Sequence, residues 1–243
     1  MNDLAKQLTD AERDQSFPNV RPRDAATLIV LDRTGAEPKV MMGRRHDRHK
    51  FMPGKFVFPG GRVEAYDGRM PTLGAFTPEM ERQLLTQVRR PTAAKARALA
   101  LAALRETSEE TGVVIGRRDG QAITIPGEGW KPFADAGVSP DLSSLHFIAR
   151  AITPPRRPRR FDTRFFAVDA KSIAHRFDGT VGPDGEFDDL VWIPLNEARQ
   201  LDLPTITVVM LEELEARIAA GLESDQPVPF YRMVRGRFTR ELI

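Results

Sequence analysis

Apolar positions along the chain follow two different periods, and these predict a mixture of strands and helices. Apolar, β-branched runs predict strands at 25–31, 40–44, 55–58, 145–152, 162–168 and 187–193. Helical spacing and helix-favouring residues predict helices at 77–88, 93–111 and 204–220. Many glycines and prolines between 116 and 142 predict a long loop. This order of elements indicates an α/β fold.

Two of the predicted helices carry clear end signals. Thr77 is followed by Pro78, which is the usual pairing of an N-cap residue with proline at the first helical position. Thr92 precedes an alanine-rich run in the same way, and Gly112 ends it. The second helix is therefore expected to run from about Ala93 to Thr111.

Composition limits the class of protein. A chain of 243 residues, 41% of them apolar, can bury one substantial core but not two large ones. It has no cysteine, which excludes disulfides and thiolate metal sites. No apolar run approaches the ~18 residues of a membrane span, and the N-terminus lacks a signal core, so we expect a cytoplasmic protein without a membrane partner. The net charge of +2 gives no reason to expect nucleic acid as a partner.

The sequence RETSEETGV, residues 105–113, gathers three acids at the end of the predicted long helix. Glu109 and Glu110 fall on either side of Glu106 within an arc of about 100°. Like charges at this spacing repel by about 0.2–0.5 kcal/mol per pair, and the helix dipole disfavours anions there. A hard divalent cation such as Mg²⁺ or Mn²⁺ would relieve this repulsion. The alternative is a solvated acidic helix end.

The preceding sequence Phe58-Pro59-Gly60-Gly61 gives these acids a context. Together the two segments resemble the Nudix hydrolase family, whose signature is G-x5-E-x7-R-E-U-x-E-E-x-G-U, where U is an aliphatic residue. Gly61 takes the first glycine position, and residues 105–113 follow the second half of the signature. The chain departs from it at Asp67, which replaces Glu, at Thr107, which replaces U, and by 30 additional residues between Asp67 and Arg105.

The resemblance implies a Nudix α/β/α sandwich with a mixed β-sheet and a helical insertion inside the Nudix box. We expect one Nudix domain at 24–224, with the insertion at about 68–97. Residues 1–23 would form an N-terminal extension. Residues 225–243 would form a tail that packs back on the domain or supports a homodimer. The inserted helix is expected to lie over the active site.

The resemblance also assigns roles to particular residues. Glu106, Glu109 and Glu110 would hold Mg²⁺ or Mn²⁺ together with the backbone carbonyl of Gly60. Either Glu106 or Glu110 would also act as the base that orients water, and Arg105 would hold the carboxylates in place. Family members often add a later carboxylate, for which Glu186 is the best candidate. The alternative for Glu186 is a surface acid at a strand end.

A second resemblance concerns the substrate. Residues 41–61 keep the spacing of the coenzyme A (CoA) motif L-L-T-x-R-[SA]-x3-R-x3-G-x3-FPGG, with differences at Gly43, His46 and Lys50. Arginine pairs well with phosphate oxygens, so two basic groups are candidates for substrate binding. The alternative is solvated loop charge. The candidates are Arg44, Arg45, Lys50, Arg156, Arg157 and Arg160.

Three functions remain open at this stage. The first is metal-dependent cleavage of CoA or acyl-CoA to 3′,5′-ADP and a phosphopantetheine. The second is the same reaction on ADP-ribose, NADH or a dinucleoside polyphosphate, which the three altered CoA-motif positions favour. The third is a catalytically silent Nudix domain that binds a nucleotide and regulates. The three glutamates argue against the third, since a sensor does not need them all.

Overall fold

A mixed β-sheet forms the centre of the protein. The computed structural model describes residues 3–11, 13–48, 52–223 and 225–243. Within these residues, nine strands form the main sheet and two more form a small antiparallel pair. The strands are β1 (Arg23–Asp32), β2 (Lys39–Arg45), β3 (Phe56–Val57), β4 (Gly60–Arg62), β5 (Val113–Ile115), β6 (Leu145–Ile152), β7 (Phe161–Asp169), β8 (Ile173–Arg176), β9 (Phe187–Pro194), β10 (Pro229–Val234) and β11 (Arg237–Leu242).

The order of strands in the main sheet is β11-β10-β6-β7-β1-β2-β3, with β4 paired to β1 and β9 paired to β2. Two pairings, β1 with β7 and β6 with β10, are parallel, and the others are antiparallel. The predicted hairpin of β6 and β7 is confirmed. At one edge of β1, β2 pairs near Leu31 while β4 pairs near Ala26, so the Nudix-box loop is fixed to the central strand.

Helices cover both faces of the sheet. They are α1 (Asp3–Asp10), α2 (Pro78–Leu85), α3 (Ala93–Thr111), α4 (Lys131–Ala136) and α5 (Thr205–Ala219). Alternate residues of β1 enter two cores: Leu28 and Val30 pack with α3, and Ile29 and Leu31 pack with α1 and α5. The predicted α/β sandwich is confirmed, because a strand apolar on both faces must be covered on both.

The helix-end signals read from the sequence are also confirmed. The Thr77 side chain accepts a hydrogen bond from the Met80 amide at 3.1 Å, and Thr92 accepts one from the Lys95 amide at 3.1 Å. Gly112 follows α3 in a left-handed conformation with φ 72°. These local signals fix where α3 begins and ends, so that the three glutamates of the acidic motif lie in its last turns.

The expectation that the inserted helix lies over the active site is wrong. Met80 and Leu84 of α2 are buried in the core that α3 also enters. Gln83 donates a hydrogen bond to the backbone oxygen of Gln226 at 2.8 Å, and Arg150 donates to the oxygen of Thr86 at 2.7 Å. The apolar face of α2 is therefore buried against the body of the protein. No described residue between 63 and 105 lines the large cleft discussed below.

Two further segments differ from a simple sequence interpretation. The predicted long loop at 116–142 contains α4, because Trp130 and Phe133 pack their rings 4.8 Å apart inside the core. The tail folds back as the hairpin β10–β11, which pairs with β6 at Phe230 and Tyr231. No helix in the described part of the chain combines the length and apolar character needed to cross a bilayer.

Candidate active site

Strand β4 and the last turns of α3 meet at the floor of a large cleft. Gly61 lies directly against Glu106, so that a Cβ at Gly61 would come within 2.4 Å of the Glu106 carboxylate. Only glycine permits this approach, since real Cβ atoms do not come so close to another atom. The structure thereby brings together the two halves of the motif that the insertion separates in sequence.

Glu110 lies at the cleft floor, half-buried and held by the backbone. It accepts a hydrogen bond from the Gly60 amide at 2.9 Å. Burial of its carboxyl group raises the pKa of Glu110 well above the ordinary value, and the charges of Glu106 and Glu186 raise it further. The Gly60 amide and the Arg45 guanidinium act in the opposite direction. A cation at this point would remove the cost of ionising Glu110.

Glu106 faces the same cleft. Burial raises the pKa of Glu106 to about 7, and the nearby charge of Glu109 contributes. Arg105 opposes this rise, and its Nη1 lies 3.1 Å from Oε1 of Glu106. Near neutral pH this carboxyl group is therefore poised between its two protonation states.

Arg105 is buried behind the two cleft carboxylates and has several acceptors. Its Nε donates to Asp67 at 2.8 Å, its Nη1 to Glu109 at 2.5 Å and its Nη2 to the Arg62 backbone oxygen at 2.8 Å. Burial alone would lower the pKa of Arg105, but Asp67 and the glutamates raise it instead. The aspartate that replaces the signature glutamate thus pairs with the arginine of the motif.

Glu186, which precedes β9, also lines the cleft. It forms an ion pair with Arg45 of β2, and its charge acts on Glu110. The structure therefore brings Glu186 to the cleft shared by Glu106 and Glu110. We call these three residues the acidic floor.

The remaining predicted metal ligand, Glu109, points elsewhere. It is paired with Arg105 and is absent from the cleft lining. Within the described ranges, no three acidic or imidazole side chains converge closely enough to hold a metal ion. The floor nevertheless offers the hard oxygen donors that Mg²⁺ and Mn²⁺ prefer, and burial, together with the neighbouring carboxylates, raises the pKa values of Glu106 and Glu110. The donors fit such an ion, although their present arrangement does not form its coordination shell.

The predicted basic residues divide into two groups. Arg45, Arg157 and Arg160 line the cleft. Arg44 instead lies 3.0 Å from Asp188, and exposed Arg156 is absent from the cleft lining. The sixth candidate, Lys50, falls outside the described residues.

Arg160 has a structural task that the sequence did not indicate. Its guanidinium donates to the Asn19 side chain and the Val20 backbone oxygen, each at 2.7 Å, and to Thr153 at 3.0 Å. It therefore fastens the segment before β1 to the loop between β6 and β7. Together these two segments form one wall of the cleft.

Four arginines stand on this wall, and we call them the basic rim. They are Arg21, Arg23, Arg157 and Arg159. In the part of the chain that the structure describes, Arg21, Arg23 and Arg159 pair with no acidic side chain. Sequence reasoning missed Arg21 and Arg23, whose only signal is their basic character beside the first strand.

Apolar side chains complete the cleft. Phe58, Phe165, Ile206 and Phe238 contribute to its lining, and its volume is about 1420 Å³. One cavity therefore joins negative, positive and apolar surfaces.

Several solved structures are similar to this chain. A NUDIX hydrolase from Alicyclobacillus acidocaldarius is 29% identical, with 81% of this chain and 92% of that chain covered and a TM-score of 0.60. The NUDIX domain of Shewanella oneidensis NrtR, in complex with ADP ribose, is 14% identical, with coverages of 88% and 97% and a TM-score of 0.45. A C. elegans Ap4A hydrolase is 12% identical, with coverages of 82% and 100% and a TM-score of 0.42.

No family model and no curated relative matches the sequence. The chain shares with the Alicyclobacillus structure its overall fold, and its own mixed sheet between helices brings together the two halves of the motif at Gly61 and α3. The chain has the fold of the Nudix hydrolases, and its similarity to the Alicyclobacillus structure supports a Nudix hydrolase activity.

Proposed function

We propose that the protein is a metal-dependent hydrolase of the diphosphate linkage in CoA or acyl-CoA, with 3′,5′-ADP and a phosphopantetheine as products. The observation that carries the proposal is the cleft itself, where the acidic floor, the basic rim and an apolar wall share one cavity. Each of the three surfaces matches a different part of such a substrate.

The acidic floor suits the reacting diphosphate. In this proposal Glu106, Glu110 and the Gly60 carbonyl hold Mg²⁺ or Mn²⁺, and Glu186 supplies a further oxygen, while Glu109 stays paired with Arg105. A bound divalent ion neutralises charge on the phosphoryl oxygens and lowers the pKa of water. Arg105 keeps the carboxylates apart from one another and in place, because it is buried and fixed by Asp67. Glu106 and Glu110 both remain candidates for the base.

Arg45 suits the phosphates on the other side of the reacting centre. Its side chain lines the cleft and is already oriented by Glu186. Within the described residues its Nε has no hydrogen-bond partner, so the pairing with Glu186 does not use all of its donors. A guanidinium with donors to spare beside the floor is suited to phosphate oxygens.

The rim and the apolar wall distinguish among substrates. Unpaired arginines on one wall repel each other unless an anion lies among them, and a phosphate monoester meets that need. The cleft volume exceeds the roughly 300–1,000 Å³ of an ordinary small-ligand site. A substrate with a diphosphate, a further phosphate and a long, partly apolar arm uses all of this space, and CoA and its thioesters have these parts.

The test is product identification by mass spectrometry. The protein is incubated with Mg²⁺ or Mn²⁺ and equal concentrations of CoA, acetyl-CoA, ADP-ribose, NADH and diadenosine polyphosphates. Metal-dependent release of 3′,5′-ADP from CoA, faster than AMP from the other compounds, is the expected result. The Glu110→Gln variant serves as the blank for contaminating hydrolases.

Other results would replace the proposal. AMP from ADP-ribose or NADH with CoA left intact would assign the second candidate function and make the CoA motif a relic. Binding of a nucleotide without any product would favour the silent regulatory domain. The expectation that nucleic acid is not a partner stays a prediction, and a gel-shift assay with duplex DNA and RNA at physiological salt tests it.

A further inference from the structure

The short 3₁₀ helix Glu128–Trp130, which lies outside the Nudix box in a longer loop, packs against the buried side of the motif. The indole Nε1 of Trp130 donates a hydrogen bond to Oδ1 of Asp67 at 3.2 Å, and both side chains are fully buried. Neither residue lines the cleft. Trp130 therefore touches the machinery of the site from behind.

Asp67 transmits this contact to Arg105. The same Oδ1 accepts from Nε of Arg105 at 2.8 Å, while Oδ2 accepts from the Glu64 amide at 2.8 Å. The Trp130 indole and the Glu64 amide together orient the Asp67 carboxylate. The carboxylate in turn fixes the plane of the Arg105 guanidinium. Without the indole, one of the bonds that orient Asp67 is lost, and in a buried site no solvent replaces it.

Gly129 brings the loop even closer. A Cβ at this residue would lie 2.6 Å from Oε1 of Glu109 and 2.8 Å from Cδ of Arg105. Both distances are shorter than real Cβ contacts, so any side chain here must displace the Arg105–Glu109 pair. Tyr66 closes the remaining side, with Arg105 5.9 Å from the centre of its ring.

We propose that Trp130 and Gly129 are positioning residues for the metal-binding carboxylates: Trp130 holds Arg105 in place through Asp67, and Gly129 does so by packing directly against Arg105 and Glu109. This inference rests on the proposed function for its effect on catalysis. Its structural half, the immobilisation of Arg105, is independent of any activity. The two halves are therefore measured separately.

The first measurement follows the Arg105 Nε–H signal by NMR in the metal-free protein. In the wild-type chain this proton is buried against Asp67, and it should exchange slowly with solvent. In Trp130→Phe, which keeps an aromatic ring but removes the donor, exchange should rise about tenfold. Trp192→Phe is the matched control, because Trp192 is 36% exposed and distant in sequence from the motif.

The second measurement is Mn²⁺ affinity by electron paramagnetic resonance, together with kcat and KM for the cleaved diphosphate. Trp130→Phe and Gly129→Ala should each weaken Mn²⁺ binding and lower kcat by about tenfold, with KM changed less. Gly35→Ala is the matched glycine control, since a Cβ there meets only one atom, at 3.8 Å. Circular dichroism verifies that each variant is folded.

The two measurements distinguish failure of this inference from failure of the proposed function. Wild-type exchange and wild-type Mn²⁺ affinity in both Trp130→Phe and Gly129→Ala would overturn the inference and make the loop ordinary core packing. Faster Arg105 exchange in Trp130→Phe supports the inference even if the wild-type protein cleaves no diphosphate, a result that would remove the proposed function alone.

Discussion

The acidic floor and the basic rim face each other across one cleft, but they are built in opposite ways. Glu106 and Glu110 come from two turns of one helix and are fixed by Arg105 and the Gly60 amide, and the third floor residue, Glu186, is fixed by Arg45. The rim arginines come from two segments far apart in sequence, and their side chains have few fixed partners. The floor side chains thus have fixed protein partners before any ligand binds, whereas the rim should gain its order from the ligand. We expect the floor to control turnover and the rim to control affinity.

Replacing Glu110 with Gln should have the largest effect. Loss of one anionic donor removes several kcal/mol of charge stabilisation, which corresponds to a fall in kcat of about 10²- to 10³-fold. The fold should survive, because the amide still accepts from Gly60. Steady-state kinetics at saturating Mg²⁺ measures the effect. Glu37→Gln, at an exposed glutamate, is the control, and wild-type turnover in Glu110→Gln would remove the metal assignment.

The floor should also affect stability when no metal is present. The pKa of Glu106 rises to about 7 in the folded state, so the folded protein holds a proton that the unfolded chain releases near pH 4.5. Stability is then lost as the pH rises from about 4.5 to 7. Glu106→Gln avoids this loss and should be more stable than wild type at pH 8, on the order of 1–3 kcal/mol.

Chemical denaturation in EDTA at pH 4.5 and pH 8 tests this prediction. The difference between Glu106→Gln and wild type should be small at pH 4.5 and present at pH 8. Adding Mg²⁺ should reduce it, because a bound cation stabilises the ionised wild-type carboxylate. A difference in stability that is independent of pH would mean that it arises from packing at Glu106 and not from the charge of its carboxylate.

The contrast between the two regions also explains what the sequence could predict. The ends of α3 follow from Thr92 and Gly112, and the shared face of the glutamates follows from helical spacing, so the floor was predictable. The Trp130 contact with Asp67 and the place of the insertion depend on tertiary packing between distant segments. No local pattern encodes them. The same applies to Arg160, which was predicted to bind substrate but also ties Asn19 to the rim.

Replacing a rim arginine should change the affinity for substrate and not the affinity for metal. CoA and dephospho-CoA differ only in the 3′-phosphate, so Arg159→Gln should raise KM for CoA by about three- to tenfold and leave KM for dephospho-CoA nearly unchanged. Turnover should stay the same. Arg156→Gln, in the same loop but away from the cleft lining, is the matched control. Equal changes for both substrates would reduce the rim to general electrostatic attraction.

The smallest effect is expected from a substitution at the hydrogen bond that holds the segment before β1 to Arg160. Asn19 accepts a hydrogen bond from Arg160 at 2.7 Å at an exposed position, so Asn19→Ala should loosen the segment before β1 without changing the melting temperature measurably. Because Arg21 lies on that segment and Arg23 begins the strand that follows it, KM for CoA should rise about twofold through the added cost of ordering the segment. Measuring KM at low and high salt distinguishes this ordering cost from a loss of electrostatic attraction. Because Asn19→Ala leaves the charge of the rim unchanged, the salt dependence of KM should match that of the wild type. A steeper salt dependence of KM in Asn19→Ala would show that the Arg160–Asn19 hydrogen bond also sets the electrostatic field of the rim arginines. The division between an organised floor and an adaptable rim would then fail.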